Sequence, residues 1–148
     1  MKITEIILGI IATVLFILHF FIKETNLIFA YFLVFYAMFY FFASIHILFN
    51  KKANDVFYEK INPEQKVKYI VFAVATGFAI SSSLVSIRFK IFKWPGSGEM
   101  FKMSLFMLVV LLGLSIFFLV KKQKDFFKRA ATRTFVFSLV VSFYLFFG

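Results

Sequence analysis

Leu27–Phe49 reads LIFAYFLVFYAMFYFFASIHILF, twenty-three residues without an Asp, Glu, Lys or Arg. A helix of that length rises about 34 Å, enough to cross the roughly 30 Å hydrocarbon core of a bilayer. Apolar and polar residues do not alternate in it, which excludes the strand of a transmembrane barrel. Four further uncharged, mostly apolar runs lie to either side: Ile6–Ile22, Tyr69–Ile87, Met103–Val120 and Thr134–Gly148. Short extensions give predicted spans at residues 3–22, 27–49, 69–87, 103–120 and 130–147. In the last of these Arg133 snorkels back toward the headgroups. The expected fold is an all-α integral membrane protein, one domain over residues 1–148, built as a bundle of five transmembrane helices. Because the fifth run is the shortest, the alternative is four spans plus an interfacial or re-entrant C-terminal helix.

Composition agrees with this solvent. Apolar residues make up 62% of the 148, and charged residues only 16%. A soluble domain has roughly 45–50% and 25%, so too little polar surface is available to face water. Phe alone occurs 26 times. The absence of cysteine excludes disulfides, thiolate metal sites and thiol chemistry. No cleavable signal is expected: the basic start is weak, Lys2 being offset by Glu5, and no Ala-x-Ala-like site follows the first run.

The loops carry the orientation. With five spans, one side holds Lys2, Lys51, Lys52, Lys60, Lys66, Lys68, Lys121, Lys122, Lys124, Lys128, Arg129 and Arg133. The other holds Lys23, Arg88, Lys90, Lys93 and Lys102. Twelve against five places the N-terminus in the cytoplasm and the C-terminus outside, and the expected location is a bacterial cytoplasmic (inner) membrane. Lys23–Asn26 is a four-residue link that forces an antiparallel hairpin, with Thr25 or Asn26 as N-cap. Asn62–Pro63–Glu64–Gln65 reads as a helix start, with Asn62 the cap and Pro63 at the first helical position. Trp94–Pro95–Gly96–Ser97–Gly98 reads as an interfacial turn. The basic segment from Lys121 to Arg133 is read as a patch on anionic lipid headgroups carried by Lys121, Lys122, Lys124, Lys128 and Arg129. Lipid is favoured over nucleic acid there.

Every acid, Glu5, Glu24, Asp55, Glu59, Glu64, Glu99 and Asp125, lies outside the apolar runs. Intramembrane ionisable groups mark ion and proton pathways, and their lack counts against a proton-coupled transporter, a carboxylate-bridged di-iron site and an intramembrane aspartyl protease. Gly-rich phosphate loops, Gly-x-Ser-x-Gly and His-Glu-x-x-His are missing. A non-enzymatic role without cofactor or metal is favoured. His19 and His46 differ in depth by roughly 24 Å along the first hairpin and cannot share a haem within one chain. Tyr36 and Tyr40, one turn apart, could hold a quinone-like or aromatic ligand, with His19 and His46 as weaker ligand-binding candidates.

Small and hydroxyl residues recur at helical spacing. Ala75, Ala79, Ser82 and Ser86 share one face of the third span, Thr134, Ser138 and Ser142 one face of the fifth. Ala30, Ala37 and Ser44 repeat every seven residues in the second. Such stripes let helices approach closely in lipid, with hydroxyls bonded to carbonyls one turn back. The sharper reading is a narrow polar path, alone or around an oligomer axis. The leading functional expectation is therefore a homo-oligomeric pore or passive permeation pathway. A non-catalytic subunit or scaffold of a larger membrane complex is the second, and a small lipid- or quinone-active membrane enzyme the third. The expected partners are the bilayer, further copies of the chain, or other membrane subunits.

Overall fold

A computed structural model describes residues 2–21, 26–49, 63–120 and 124–147. These form five helices and, among the described residues, no strand: α1 (Lys2–Phe21), α2 (Asn26–Phe49), α3 (Pro63–Ile91), α4 (Ser97–Val120) and α5 (Lys124–Phe147). Three stretches, Leu27–Leu48, Lys66–Ile91 and Ser97–Val120, are long and apolar enough to cross a membrane. α1 supplies a shorter apolar stretch, Ile3–His19. A chain so poor in polar side chains must satisfy its backbone internally, and continuous helix does this residue by residue. The hairpin cap Thr25, the helix-start cap Asn62, the loop acids Asp55 and Glu59, and the lysines Lys121 and Lys122 lie outside the described residues.

α3 is the centre of the packing. It runs against α2 along most of its length and also touches α4 and α5, while α4 and α5 pair with each other. Small residues whose recurrence stands out in the sequence, Ala30, Ala37 and Ser44 of α2 and Ala79 of α3, are buried, and so are Ala73 and Thr76. At Gly77 the two helices approach too closely for a side chain. A Cβ there would overlap the Cβ and Oγ of Ser44 and stand 2.9 Å from the carbonyl oxygen of Tyr40. The Ser81 hydroxyl crosses from α3 to α2 and donates to the Ala37 carbonyl at 2.7 Å.

α3 stops in a Schellman turn. Trp94 N–H bonds Phe89 O at 3.0 Å and Lys93 N–H bonds Lys90 O at 3.0 Å. That is the six-to-one and five-to-two pair of the motif, and the accompanying apolar contact is Trp94 on Phe89, ring centroids 4.6 Å apart. Lys93 holds the left-handed position usually given to glycine, with φ 52°. The turn is locked by cations on aromatic faces. The Arg88 guanidinium lies 5.4 Å from the Trp94 ring, 5.7 Å from Phe92 and 5.8 Å from Tyr31. Lys90 Nζ donates to the Tyr144 carbonyl at 2.7 Å near the end of α5. Arg88 and Lys90, expected beside the membrane in a loop, are thus the last turn of a helix.

At the opposite end a second apolar cluster joins Leu48, Tyr69, Ala73, Phe126, Phe127 and Ala130. The rings of Phe126 and Tyr69 stand 5.0 Å apart, and those of Phe127 and Phe118 are stacked at 4.8 Å. Phe126 and Phe127, within the basic segment, are therefore core. Their burial extends α5 back to Lys124, six residues before its predicted span.

Candidate functional site

α1 is held differently from the rest. Its main backbone packing is on α2, and long side chains toward its two ends reach α5. Toward the Trp94 end, Phe16 meets Phe143 and Tyr144 edge-on at 5.8 and 5.4 Å, and His19 stacks on Tyr144 at 5.9 Å. Toward the Leu48 end, Glu5 meets Arg133. Arg133 Nε donates to Glu5 Oε1 at 2.6 Å and Nη2 donates to Oε2 at 2.7 Å, a two-pronged pair. Tyr40 Oη donates to the same carboxylate at 3.0 Å. Little of either side chain is exposed, 15% for Glu5 and 20% for Arg133.

The depth of this cluster corrects one expectation. Tyr40 stands eight residues, about 12 Å of rise, inside Leu48, the end of the apolar stretch of α2. The hydroxyl of Tyr40 bonds Glu5, so an acid reaches into the apolar zone after all. Glu5 precedes the first uncharged run, Ile6–Ile22, but falls within the span predicted at residues 3–22. α1 is set so that Glu5 is level with Tyr40 and Phe16 with Phe29, 6.2 Å ring to ring.

Between the two ends of α1 the bundle is open. A cavity of about 750 Å³ lies between α1, α2 and α5, floored by Leu84 and Ile87 of α3. Its deep wall is Phe16, Phe29, Leu33, Phe137 and Val140. Its polar rim is Glu5, Arg133, Tyr40, Thr132, Arg129 and Lys128. Gly9, whose missing side chain leaves only Tyr36 Oη 3.9 Å from where a Cβ would stand, widens the middle. Ile6, Thr13 and Val136 also line it and are exposed on the outer surface, so the cavity opens sideways between α1 and α5. From Glu5 to Phe16 it extends eleven residues, about 17 Å, close to the depth of one bilayer leaflet.

Tyr36 and Tyr40, the ligand candidates from the sequence, are both buried in this wall, rings edge-on at 5.1 Å, with Phe137 5.1 Å from Tyr40. His19 is half-buried just beyond the apolar end, against Phe29 at 5.3 Å. His46 is exposed on another face of α2, in a shallow apolar groove with Phe35, Met38 and Phe42. It lies seventeen residues along α2 from Phe29, about 25 Å, and the two histidines are not brought together. Lys128 and Arg129 of the headgroup patch stand at the rim; Lys124 is the first residue of α5. Among the described residues no three His, Asp or Glu converge as a metal site would require.

The hydroxyl stripes lie elsewhere. Ser86, Ala79, Thr134 and Ser138 are buried, and Ala75, Ser82 and Ser142 are half-buried. Thr134 Oγ1 donates to Ala130 O at 2.8 Å, Ser138 Oγ to Thr134 O at 2.7 Å, and Ser86 Oγ to Ser83 O at 2.7 Å. Ser86 also meets Ser104 of α4 at 3.1 Å. Of these hydroxyls Ser86 reaches another helix, while Thr134 and Ser138 bond carbonyls one turn back in α5.

The sequence does not mark Glu5, Arg133 and Phe16 as a set. The signal it does carry is the hairpin register: a turn at residues 23–26 brings the start of α1 beside the low forties, and Arg133 is the one cation drawn into a predicted span. Comparison with protein-family models, curated proteins and solved structures finds no match for this chain.

Proposed function

We propose that this chain is a non-enzymatic, polytopic membrane protein that binds an amphipathic molecule of the bilayer in the cavity between α1, α2 and α5. In this reading all five helices span a cytoplasmic membrane of a bacterium, with the N-terminus inside, as the twelve-to-five distribution of Lys and Arg favours. The observation that carries the reading is the cavity itself: a pocket of about 750 Å³ with a long apolar wall, a polar rim at one end and a sideways opening. That volume falls within the range of pockets that bury small ligands, and convergent polar groups in an apolar lining are their usual form. The opening faces where lipid would be, so a ligand enters without crossing water.

A homo-oligomeric pore is the competing proposal, supported by the half-buried Ser82 and Ser142, which face outward enough to meet a second copy. Native mass spectrometry of the protein purified alone in mild detergent separates the readings. The ligand reading expects one retained amphipath per chain, lost in Ala12→Trp, which fills the cavity from α1. A defined oligomer without such a mass favours the pore, and a co-purifying unrelated polypeptide favours a subunit of a larger complex; either overturns the proposal.

A further inference from the structure

We infer that the cavity selects a phospholipid with an acidic headgroup, held at its phosphodiester by Lys128 and Arg129; this rests on the cavity being a ligand site at all. Charge and register at the rim set the headgroup. Among the described residues the rim carries three cations, Lys128, Arg129 and Arg133, against a single carboxylate, Glu5. Glu5 is taken up twice by Arg133 and once by Tyr40. The carboxylate thus neutralises the innermost cation, and the remaining two positive charges stand outward of it on α5.

Lys128 and Thr132 are one helical turn apart, as are Arg129 and Arg133, so α5 offers two adjacent polar stripes to the rim. Lys128 is exposed, and Thr132 closes its own hydroxyl on the Lys128 carbonyl at 2.8 Å. Arg129 is half-buried and oriented: one Nη donates to the Leu48 carbonyl at 3.2 Å, at the end of the apolar stretch of α2. Its guanidinium is therefore fixed where the apolar zone ends, the level of a headgroup phosphate, and keeps further N–H groups for a bidentate contact.

The rest of the cavity sets the other end. Below the ion pair only Thr13 and the Tyr36 hydroxyl interrupt an apolar lining that runs to Phe16 and Phe29. An acyl chain entering from the side lies along α1 over about 17 Å, with its headgroup beside Lys128. A neutral amphipath fills the same wall but leaves two cations without a counter-charge. A zwitterionic lipid brings its own ammonium against them.

The test is native mass spectrometry of the intact chain titrated with phosphatidylglycerol or phosphatidylcholine of identical acyl chains. Phosphatidylglycerol is expected to bind more tightly, and each of Lys128→Gln and Arg129→Gln to reduce that preference about fivefold. Thr13→Trp, placed on the exposed side of the cavity mouth, is expected to weaken both lipids in a protein whose helical melting curve is unchanged. Ala12→Trp, on the inner side, repeats the block from a second position. Equal binding of the two lipids, with both Trp variants still blocking, overturns the headgroup assignment and leaves the cavity reading standing. Undiminished binding of both lipids in two folded Trp variants overturns the cavity reading and the inference with it.

Discussion

Replacing Arg133 by Gln strands a carboxylate. Glu5 is 15% exposed, and its two oxygens accept from Arg133 at 2.6 and 2.7 Å and from Tyr40 at 3.0 Å. Charge centres about 4 Å apart attract by about 4 kcal/mol at an effective dielectric near 20. Removing the charges from water offsets most of that, so the intact pair contributes little net stability. Losing one partner is another matter, costing about 3–5 kcal/mol because the survivor remains buried without a counter-charge. Arg133→Gln and Glu5→Gln should therefore each lower stability by about 3 kcal/mol, near the bottom of that range because both groups keep some exposure. The double variant sets two amides of similar shape against each other and should recover about 2 kcal/mol of the summed loss. At roughly 2–4 °C per kcal/mol, each single change lowers the melting temperature by about 6–12 °C. Circular dichroism melts of the four proteins in one detergent close the cycle. Additive single effects, with coupling below about 0.5 kcal/mol, would mean that the two side chains do not face each other.

Gly77→Ala and Gly113→Ala should move in opposite directions. Both gain helix propensity of about 1 kcal/mol, but at Gly77 the added methyl meets Ser44 and, at 2.9 Å, the Tyr40 carbonyl, whereas at Gly113 it meets nothing within 4 Å. Overpacking of about 1–3 kcal/mol outweighs the propensity gain only at Gly77, so thermal melts should rank Gly113→Ala at or above the parent and Gly77→Ala below it. A Gly77→Ala protein as stable as Gly113→Ala would refute the close crossing of α2 and α3. Lys93→Gly relieves a left-handed residue at φ 52° and should raise stability by about 1 kcal/mol in the same assay. A loss there would show that the Schellman turn at Trp94 is misplaced.

Periodicity and length made the helices legible. The uncharged runs mark α2, α3 and α4 because lipid-facing helices leave no room for charge, and the seven-residue recurrence of Ala30, Ala37 and Ser44 marks a packing seam that is buried throughout. Two things were harder to read. Phe126 and Phe127 sit among lysines, so composition suggested a surface segment, and only contact with Tyr69, Phe72 and Phe118 makes them core. Glu5 lies one residue before an apolar run, and an acid at a span's edge ordinarily faces water. Its burial depends on Arg133, 128 positions away, and pairing over such a separation leaves no periodic trace. Tyr36 and Tyr40 were visible as candidates because two tyrosines one turn apart are conspicuous in so apolar a helix. That they line a cavity follows from α1 standing off α5, a property of three helices together.

An acyl chain lying in the space between α1, α2 and α5 can be marked where it sits. A phosphatidylglycerol carrying a diazirine midway along one chain, reconstituted with the protein, irradiated and mapped by peptide mass spectrometry, reports which side chains the tail touches. A tail in the cavity gives adducts on Ala12, Thr13, Phe16, Val136 and Val140, suppressed in Thr13→Trp. Adducts confined to outward-facing residues such as Phe35, Met38 and Phe42, and indifferent to Thr13→Trp, would contradict it.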